Sequence, residues 1–266
     1  FNSETVQIMK HLAFIALIIL PLVCIGQTRE FGIQLGTTNY LGDLAPTTSI
    51  KEFNEHLGVY WKHNRPTGFV SWKYAFAYGK ISGNDLNFES NSSRNLNFRS
   101  SLYEASIQFE FNFQKFFIGL RAEKFSPYIY TGLGATYFNP QGSMDENWVD
   151  LRPLSTEGQG LPNGPKGYSN ITLVMPMGVG AKWELGRRWN AYLFTGFRLS
   201  FTDYLDDVSG NYYDNASINE LKGELAAQMA NKNQNKVFQE GKQRGSVQGN
   251  DWYYFSGISI AYWLQD

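Results

Sequence analysis

Tyr103-Glu104-Ala105-Ser106-Ile107-Gln108-Phe109-Glu110-Phe111-Asn112-Phe113 decides the fold. Apolar and polar residues alternate without a break. A strand points successive side chains to opposite faces, so this stretch has one greasy face and one polar face. Residues 171–185 repeat the pattern with Ile171, Leu173, Met175, Met177, Val179, Ala181, Trp183 and Leu185 on one face; Val174 and Pro176 are the exceptions.

Working outward, the alternation predicts eight strands, at about 29–38, 54–63, 68–79, 102–114, 126–138, 171–185, 189–202 and 252–264. The connections alternate in length. Asn64–Thr67, Lys115–Phe125 and Gly186–Arg188 are short, whereas 39–53, 80–101, 139–170 and 203–251 are long. Short turns on one side and long loops on the other are the pattern of an outer-membrane barrel. The expectation is an all-β, eight-stranded, antiparallel up-and-down transmembrane barrel. Its turns and both termini would be periplasmic and its long loops extracellular. A soluble sandwich or lipocalin-like barrel also alternates, but it would bury the aromatic face and leave the charges in water.

The N-terminal region agrees. Met9-Lys10-His11 followed by the apolar run Leu12–Ile25 reads as an export signal over 9–26, with Cys24 and Gly26 at the small-residue cleavage places. Acylation of Cys24 is the rival, disfavoured by the bulky Val23. Residues 1–8 read as an upstream extension, and 27–266 as one barrel domain in the outer membrane of a Gram-negative bacterium. Removing the leader removes the one cysteine, as suits an exported protein without disulfides. Aromatic residues make up 16% of the chain and its formal net charge is −1. Such a balance suits a barrel with an aromatic belt and a polar interior, and argues against nucleic acid.

The alternation sends Lys73, Glu104, Glu110, Lys182, Glu184 and Arg198 into the lumen. An eight-stranded barrel has room inside for side chains only, so these charges are expected to pair rather than line a wide channel. Thr202-Asp203-Tyr204-Leu205-Asp206-Asp207-Val208-Ser209 opens the longest loop. Asp203, Asp206 and Asp207 are a weak candidate rim site for a hard cation such as calcium; turn chemistry closing the rim is the plainer expectation. Gly42 suits a turn, and Asp43 is placed to cap amides. Ser217 with Glu220, then Leu221, Leu225 and Met229, predict a helix over 217–232. The turn residues Phe116, Phe117, Ile118, Leu120, Arg121 and Lys124 are more apolar and basic than a connector needs. They are candidates for a partner surface or for a hook in the bilayer interface. Three histidines and no nucleophile or metal-ligand motif give catalysis little support, and no cofactor is expected.

Two stretches carry a resemblance. Arg29-Glu30-Phe31-Gly32-Ile33 leading to Asn39-Tyr40-Leu41-Gly42-Asp43-Leu44, and Thr202–Ser209 with Gly241, Arg244-Gly245 and Asp251-Trp252-Tyr253, resemble the first and last loops of the DUF6089 barrels. The Thr-Asp-Tyr-Leu-Asp-Asp run is the most specific element. The resemblance extends to PorG-like outer-membrane components of the type IX secretion system. It implies a non-enzymatic part of a protein-export machine, in contact with outer-membrane lipid, a periplasmic ring of PorK- and PorN-like subunits and other secretion-system proteins. It implies no catalytic residues. The alternative from the residues is a stand-alone small barrel that binds a ligand or envelope component through its long loops.

Overall fold

The computed structural model describes residues 28–88, 93–116, 123–144, 147–186, 188–233, 237–246 and 249–264. The leader read over 9–26 and the extension over 1–8 lie outside them. Eight long strands close into one antiparallel barrel: β1 (Thr28–Leu41), β2 (Asn54–Asn64), β3 (Val70–Asn84), β4 (Asn97–Asn112), β5 (Phe125–Met144), β7 (Ile171–Glu184), β8 (Trp189–Ser200) and β9 (Trp252–Leu264). Sequence neighbours pair all the way round. The ring is completed by β1 with β9, where Arg29 faces Leu264, so both ends of the described chain sit at the same mouth. A short ninth strand, β6 (Asn147–Asp150), folds back on the tip of β5.

The barrel is inside out relative to a soluble one. Phe31, Ile33, Leu57, Phe76, Ile107, Leu133, Leu173, Leu193 and Ile258 stand exposed on the exterior, while Glu30, Lys62, Lys73, Glu104, Glu110, Lys182 and Arg198 are buried within. Aromatic rings gather at two levels. Tyr78, Tyr103 and Tyr137 form one row on adjacent strands, with successive centroids 5.3 and 6.3 Å apart. Trp61, Trp72, Phe109, Phe111, Phe113, Phe125, Trp183 and Trp189 mark the other level, near the short turns. From Tyr103 to Phe113 the chain climbs about 34 Å along the strand. At a tilt of about 40° that is about 26 Å of height, the thickness of a barrel's apolar band.

Beyond the upper row the pattern inverts. The strands predicted to end at 79, 138 and begin at 102 continue for five or six residues, to Asn84, Met144 and from Asn97. There the outward positions are polar (Lys80, Ser82, Arg99, Asn139, Gln141), and the inward ones are Ile81, Phe98, Leu102 and Phe138, all buried. They join Tyr40, Leu44, Leu205, Tyr253 and Phe255 in one apolar core. The same strands thus obey hydrocarbon outside at one height and water outside at the next. The switch of phase explains why strict alternation ran out early.

The loop helix differs from its expectation. It is two helices, α1 (Asn215–Lys222) and α2 (Glu224–Ala230), broken at Gly223, whose φ of 93° favours glycine. The cap is Asp214, which accepts from the Ser217 amide and hydroxyl at 2.9 and 2.6 Å, rather than Ser217. The break rotates the second helix, so Ile218, Ala226, Ala227, Met229 and Ala230 are buried while Leu221 and Leu225 are exposed.

One strand carries a defect. The ladder of β5 with β7 runs from Phe125 opposite Trp183 to Thr131 opposite Met177 and resumes at Gly134 opposite Val174. Pro176 lies in the gap, opposite Gly132. Proline has no N–H, so the Gly132 carbonyl faces no strand donor at mid-height of the apolar band. The pairing of Pro176 with Arg198 of β8 is intact.

Candidate functional site

The lumen holds a ladder of paired charges. Glu110, on β4, accepts through one oxygen from Lys62 of β2 at 2.9 Å and Lys182 of β7 at 3.1 Å. Tyrosine rings wrap the cations: Lys62 Nζ lies 4.1 Å from the Tyr192 centroid, Lys182 Nζ 4.5 Å from Tyr128, and Lys73 Nζ 4.6 Å from Tyr60. One level up, Glu104 accepts from Arg198 Nε at 3.2 Å and from the Tyr253 hydroxyl at 2.9 Å, and the guanidinium lies 4.2 Å from the Phe255 centroid. Glu30 accepts from Asn64 at 2.6 Å and from the Tyr192 hydroxyl. Glycines make room for the rings: a Cβ at Gly196 would lie 2.0 Å from the Tyr130 hydroxyl.

Five of the six charges read into the lumen, Lys73, Glu104, Glu110, Lys182 and Arg198, are buried there. Glu184 is half-exposed at the short-turn end, outside the ladder. Lys62 and Glu30 are buried there as well and are not among the six charges read into the lumen. Glu30 is only the second residue of the predicted first strand, where alternation has barely begun. Tyr128, Tyr130 and Tyr192 carry no inward signal in the sequence, since a tyrosine fits either face.

The turn after β4 does not present its first aromatic outward. Phe116 is buried, stacked 6.5 Å from Trp263, and closes the short-turn mouth. Lys124 is exposed beside it. Phe117, Ile118, Leu120 and Arg121 lie outside the described residues.

At the other mouth the loops tie a polar knot. Tyr40 Oη lies 2.7 Å from Asp206 Oδ2 and 2.6 Å from Asp251 Oδ1. A phenol has one proton and an ionised carboxylate has none to give, so two such bonds require one of the aspartates to be protonated. Burial, and the nearness of each to the other and to neighbouring carboxylates, push both well above the usual carboxylate range. Asp206 also accepts from the Val208 amide, and Asp251 from that of Leu205. Asp207, at a left-handed φ of 66°, accepts from Thr156 and from the Tyr168 hydroxyl. Burial lifts it to about 6 against the pull of Arg244. Arg244 donates to Glu157 at 3.0 Å and to the Asp207 carbonyl at 2.8 Å. Arg94 forks onto Asp85 and reaches the Asp43 carbonyl, and Asp43 caps the Ser246 amide at 2.9 Å. Asp203 turns away to Ser209 at 2.8 Å, and burial lifts it to about 7.

The three rim aspartates therefore do not converge on a cation. Each is spent on separate hydroxyls and amides, as turn chemistry would have it. Among the described residues no group of three His, Cys, Asp or Glu side chains is placed to hold a metal ion. His56 stacks on Phe255 at 4.2 Å and His63 accepts from the Trp61 indole at 2.9 Å, at opposite ends of β2. Neither stands beside a nucleophile.

Tyr40, Asp43, Asp206, Asp207, Arg244 and Asp251 come from the two stretches that resembled DUF6089 and are here a single tertiary unit. The pattern of that family, described as a domain of unknown function, matches residues 9–266. The chain belongs to the DUF6089 family. No curated protein matches it in sequence. Among solved structures it is similar to neisserial surface protein A, NspA (6% identity, TM-score 0.40, 90% of this chain and 97% of that one). It is likewise similar to Ail, the attachment invasion locus protein of Yersinia pestis (6%, 0.41, 90% and 100%). The outer membrane protein OprG of Pseudomonas aeruginosa is a third (12%, 0.39, 90% and 98%).

Proposed function

We propose that this DUF6089 barrel is a non-enzymatic outer-membrane anchor, not a pore, that positions a periplasmic PorK/PorN-like ring of a type IX secretion machine. The observation that carries the anchor is the closed interior. Phe116 and Trp263 fill one mouth, the Glu110 and Glu104 ladders fill the middle, and the apolar core under the Tyr40–Asp206–Asp251 knot fills the other. A barrel packed along its whole height offers its ends and its outer wall as working surfaces. The apolar band supports insertion in a bilayer, since a closed barrel leaves no backbone edge in lipid. The ring as partner follows from the family resemblance, and the short-turn end, with Lys124 exposed, is the face we assign to it.

Two measurements test this. Reconstituted in planar bilayers, the protein gives no stepwise conductance; steady single-channel steps overturn the closed interior. Isolated from native membranes in mild detergent after cross-linking, it carries the ring lipoprotein and its partner; a folded barrel recovered without either overturns the anchoring role.

A further inference from the structure

At the short-turn end, five exposed cations ring the barrel: Arg29 on β1, Arg65 in the turn after β2, Lys115 after β4, Lys124 before β5 and Arg188 before β8. Two carboxylates share that rim, Glu123 exposed and Glu184 half-buried. In sequence, positions 117–122 and 187 of these turns, outside the described residues, bring Arg121 and Arg187 and no carboxylate; the last position brings Asp266. The rim is basic on either count. The other edge of the apolar band differs. There Lys80 Nζ lies 2.5 Å from Glu55, and Arg99 shares Gln141 with Asp150, so cation is matched by carboxylate.

Position narrows the partner. The cations stand at the edge of the apolar band, each close to an outward aromatic. Arg29 is two residues from Phe31 on the outward face of β1. Lys115 is two residues beyond Phe113, with its ammonium 5.9 Å from the Phe69 centroid. Lys124 and Arg188 directly precede the exposed Phe125 and Trp189. Arg188 also donates to the Tyr262 hydroxyl at 2.7 Å, and that ring packs 5.0 Å from Trp189. Aromatic rings favour the membrane interface, and long basic side chains beside them reach the headgroup level. A protein docked on one side of the rim would meet only some of these charges, because they belong to strand ends all round the barrel. An annulus of lipid meets all of them at once. We propose that this rim is a collar for anionic phospholipid, selecting headgroups of the phosphatidylglycerol type over zwitterionic ones. The collar goes beyond the ring-anchoring role and does not rest on it.

The test uses the full chain folded in bilayers with no partner protein, so failure to capture the ring would leave its result untouched. Trp61, Trp183 and Trp189 are exposed near this rim, and bromine on an acyl chain quenches tryptophan fluorescence on contact. Phosphatidylcholine bilayers carry brominated phosphatidylglycerol in one series and brominated phosphatidylcholine in the other. The anionic lipid should associate with the barrel surface at least about threefold more strongly at low salt. High salt screens the charges and should bring the ratio towards one. Arg29→Gln, Arg65→Gln, Lys115→Gln and Arg188→Gln combined should do the same at low salt, with Lys124 left in place; exchanging arginine for lysine and lysine for arginine at those four positions should keep the preference. The salt series uses the unaltered protein, so it decides the question even where the combined variant does not fold. The proposal is overturned if the two brominated lipids quench alike at low salt, or if the preference persists in high salt or in the folded variant. Binding of polyglutamate to the barrel in neutral bilayers, with no preference between the lipids, would overturn it in favour of an acidic protein.

Discussion

Glu110→Gln should cost the barrel about 3 kcal/mol. The substitution keeps shape and one hydrogen-bond acceptor but deletes the charge that two ammonium groups share at 2.9 and 3.1 Å. At an effective dielectric constant near 20, each contact is worth about 5–6 kcal/mol before desolvation. Sparing Glu110 its own desolvation returns several kcal/mol, which leaves the usual loss of about 3–5 kcal/mol for breaking a buried pair. Urea unfolding from lipid vesicles, followed by tryptophan fluorescence, reads the difference directly. Glu110→Gln with Lys182→Met should recover part of the loss, because one stranded charge is gone. A deficit below about 1 kcal/mol would refute the view that the ladder is held by charge.

Three further outcomes follow from other parts of the molecule. Pro176→Val restores an N–H opposite the Gly132 carbonyl and should stabilise the barrel by about 1 kcal/mol in the same unfolding assay; no gain would mean the seam already has a donor. Gly196→Ala should destabilise by about 1–3 kcal/mol through overpacking, since its Cβ would stand 2.0 Å from the Tyr130 hydroxyl, whereas Gly186→Ala, with nothing within 4 Å, should be silent. The knot should loosen as pH rises. Asp207 and Asp203 sit in the fold at about 6 and about 7, above the ordinary carboxylate value, so the folded loop holds protons that the open loop has released. Their contribution is complete below about pH 4 and lost through pH 6–7. Limited proteolysis of the loop before β9 should accordingly be slower at pH 5 than at pH 8, and the reverse order would contradict the assignment.

The strands within the apolar band were legible because one rule governs them: hydrocarbon outside, paired charge inside. Leu133 and Leu173 could face nowhere else. The rule failed where its cause ended. Ile81, Phe98 and Phe138 point inward above the aromatic row because water, not lipid, surrounds the barrel there, and a period-two reading has no way to see the solvent change. The knot was half legible. Asp203, Asp206 and Asp207 stood out as a cluster, but their partners are distant in sequence: Tyr40 is supplied by the end of β1, and Thr156 and Tyr168 by the loop before β7. The loop helix failed for a local reason. An apolar repeat through Leu221, Leu225 and Met229 assumes one continuous helix, and Gly223 breaks it.

The inversion of sidedness bears on why the long loops are built as they are. A barrel that ended at its upper aromatic row would expose the Glu104–Arg198 pair to water and could admit ions along the ladder. Extending β3, β4 and β5 past the row creates a second, water-facing storey whose centre is apolar, and the loops must then close over it. A loop of 51 residues between strands, from Phe201 to Asp251, gains little from local contacts alone. It is held because Asp251 and Asp206 meet at Tyr40, and because Arg244 returns to Glu157 and Asp207. The shared proton of the aspartate pair is then a consequence of closure. Two carboxylates can occupy that dry position only if they do not both carry charge, so the lid and its protonation form together, and a variant that opens one should release the other.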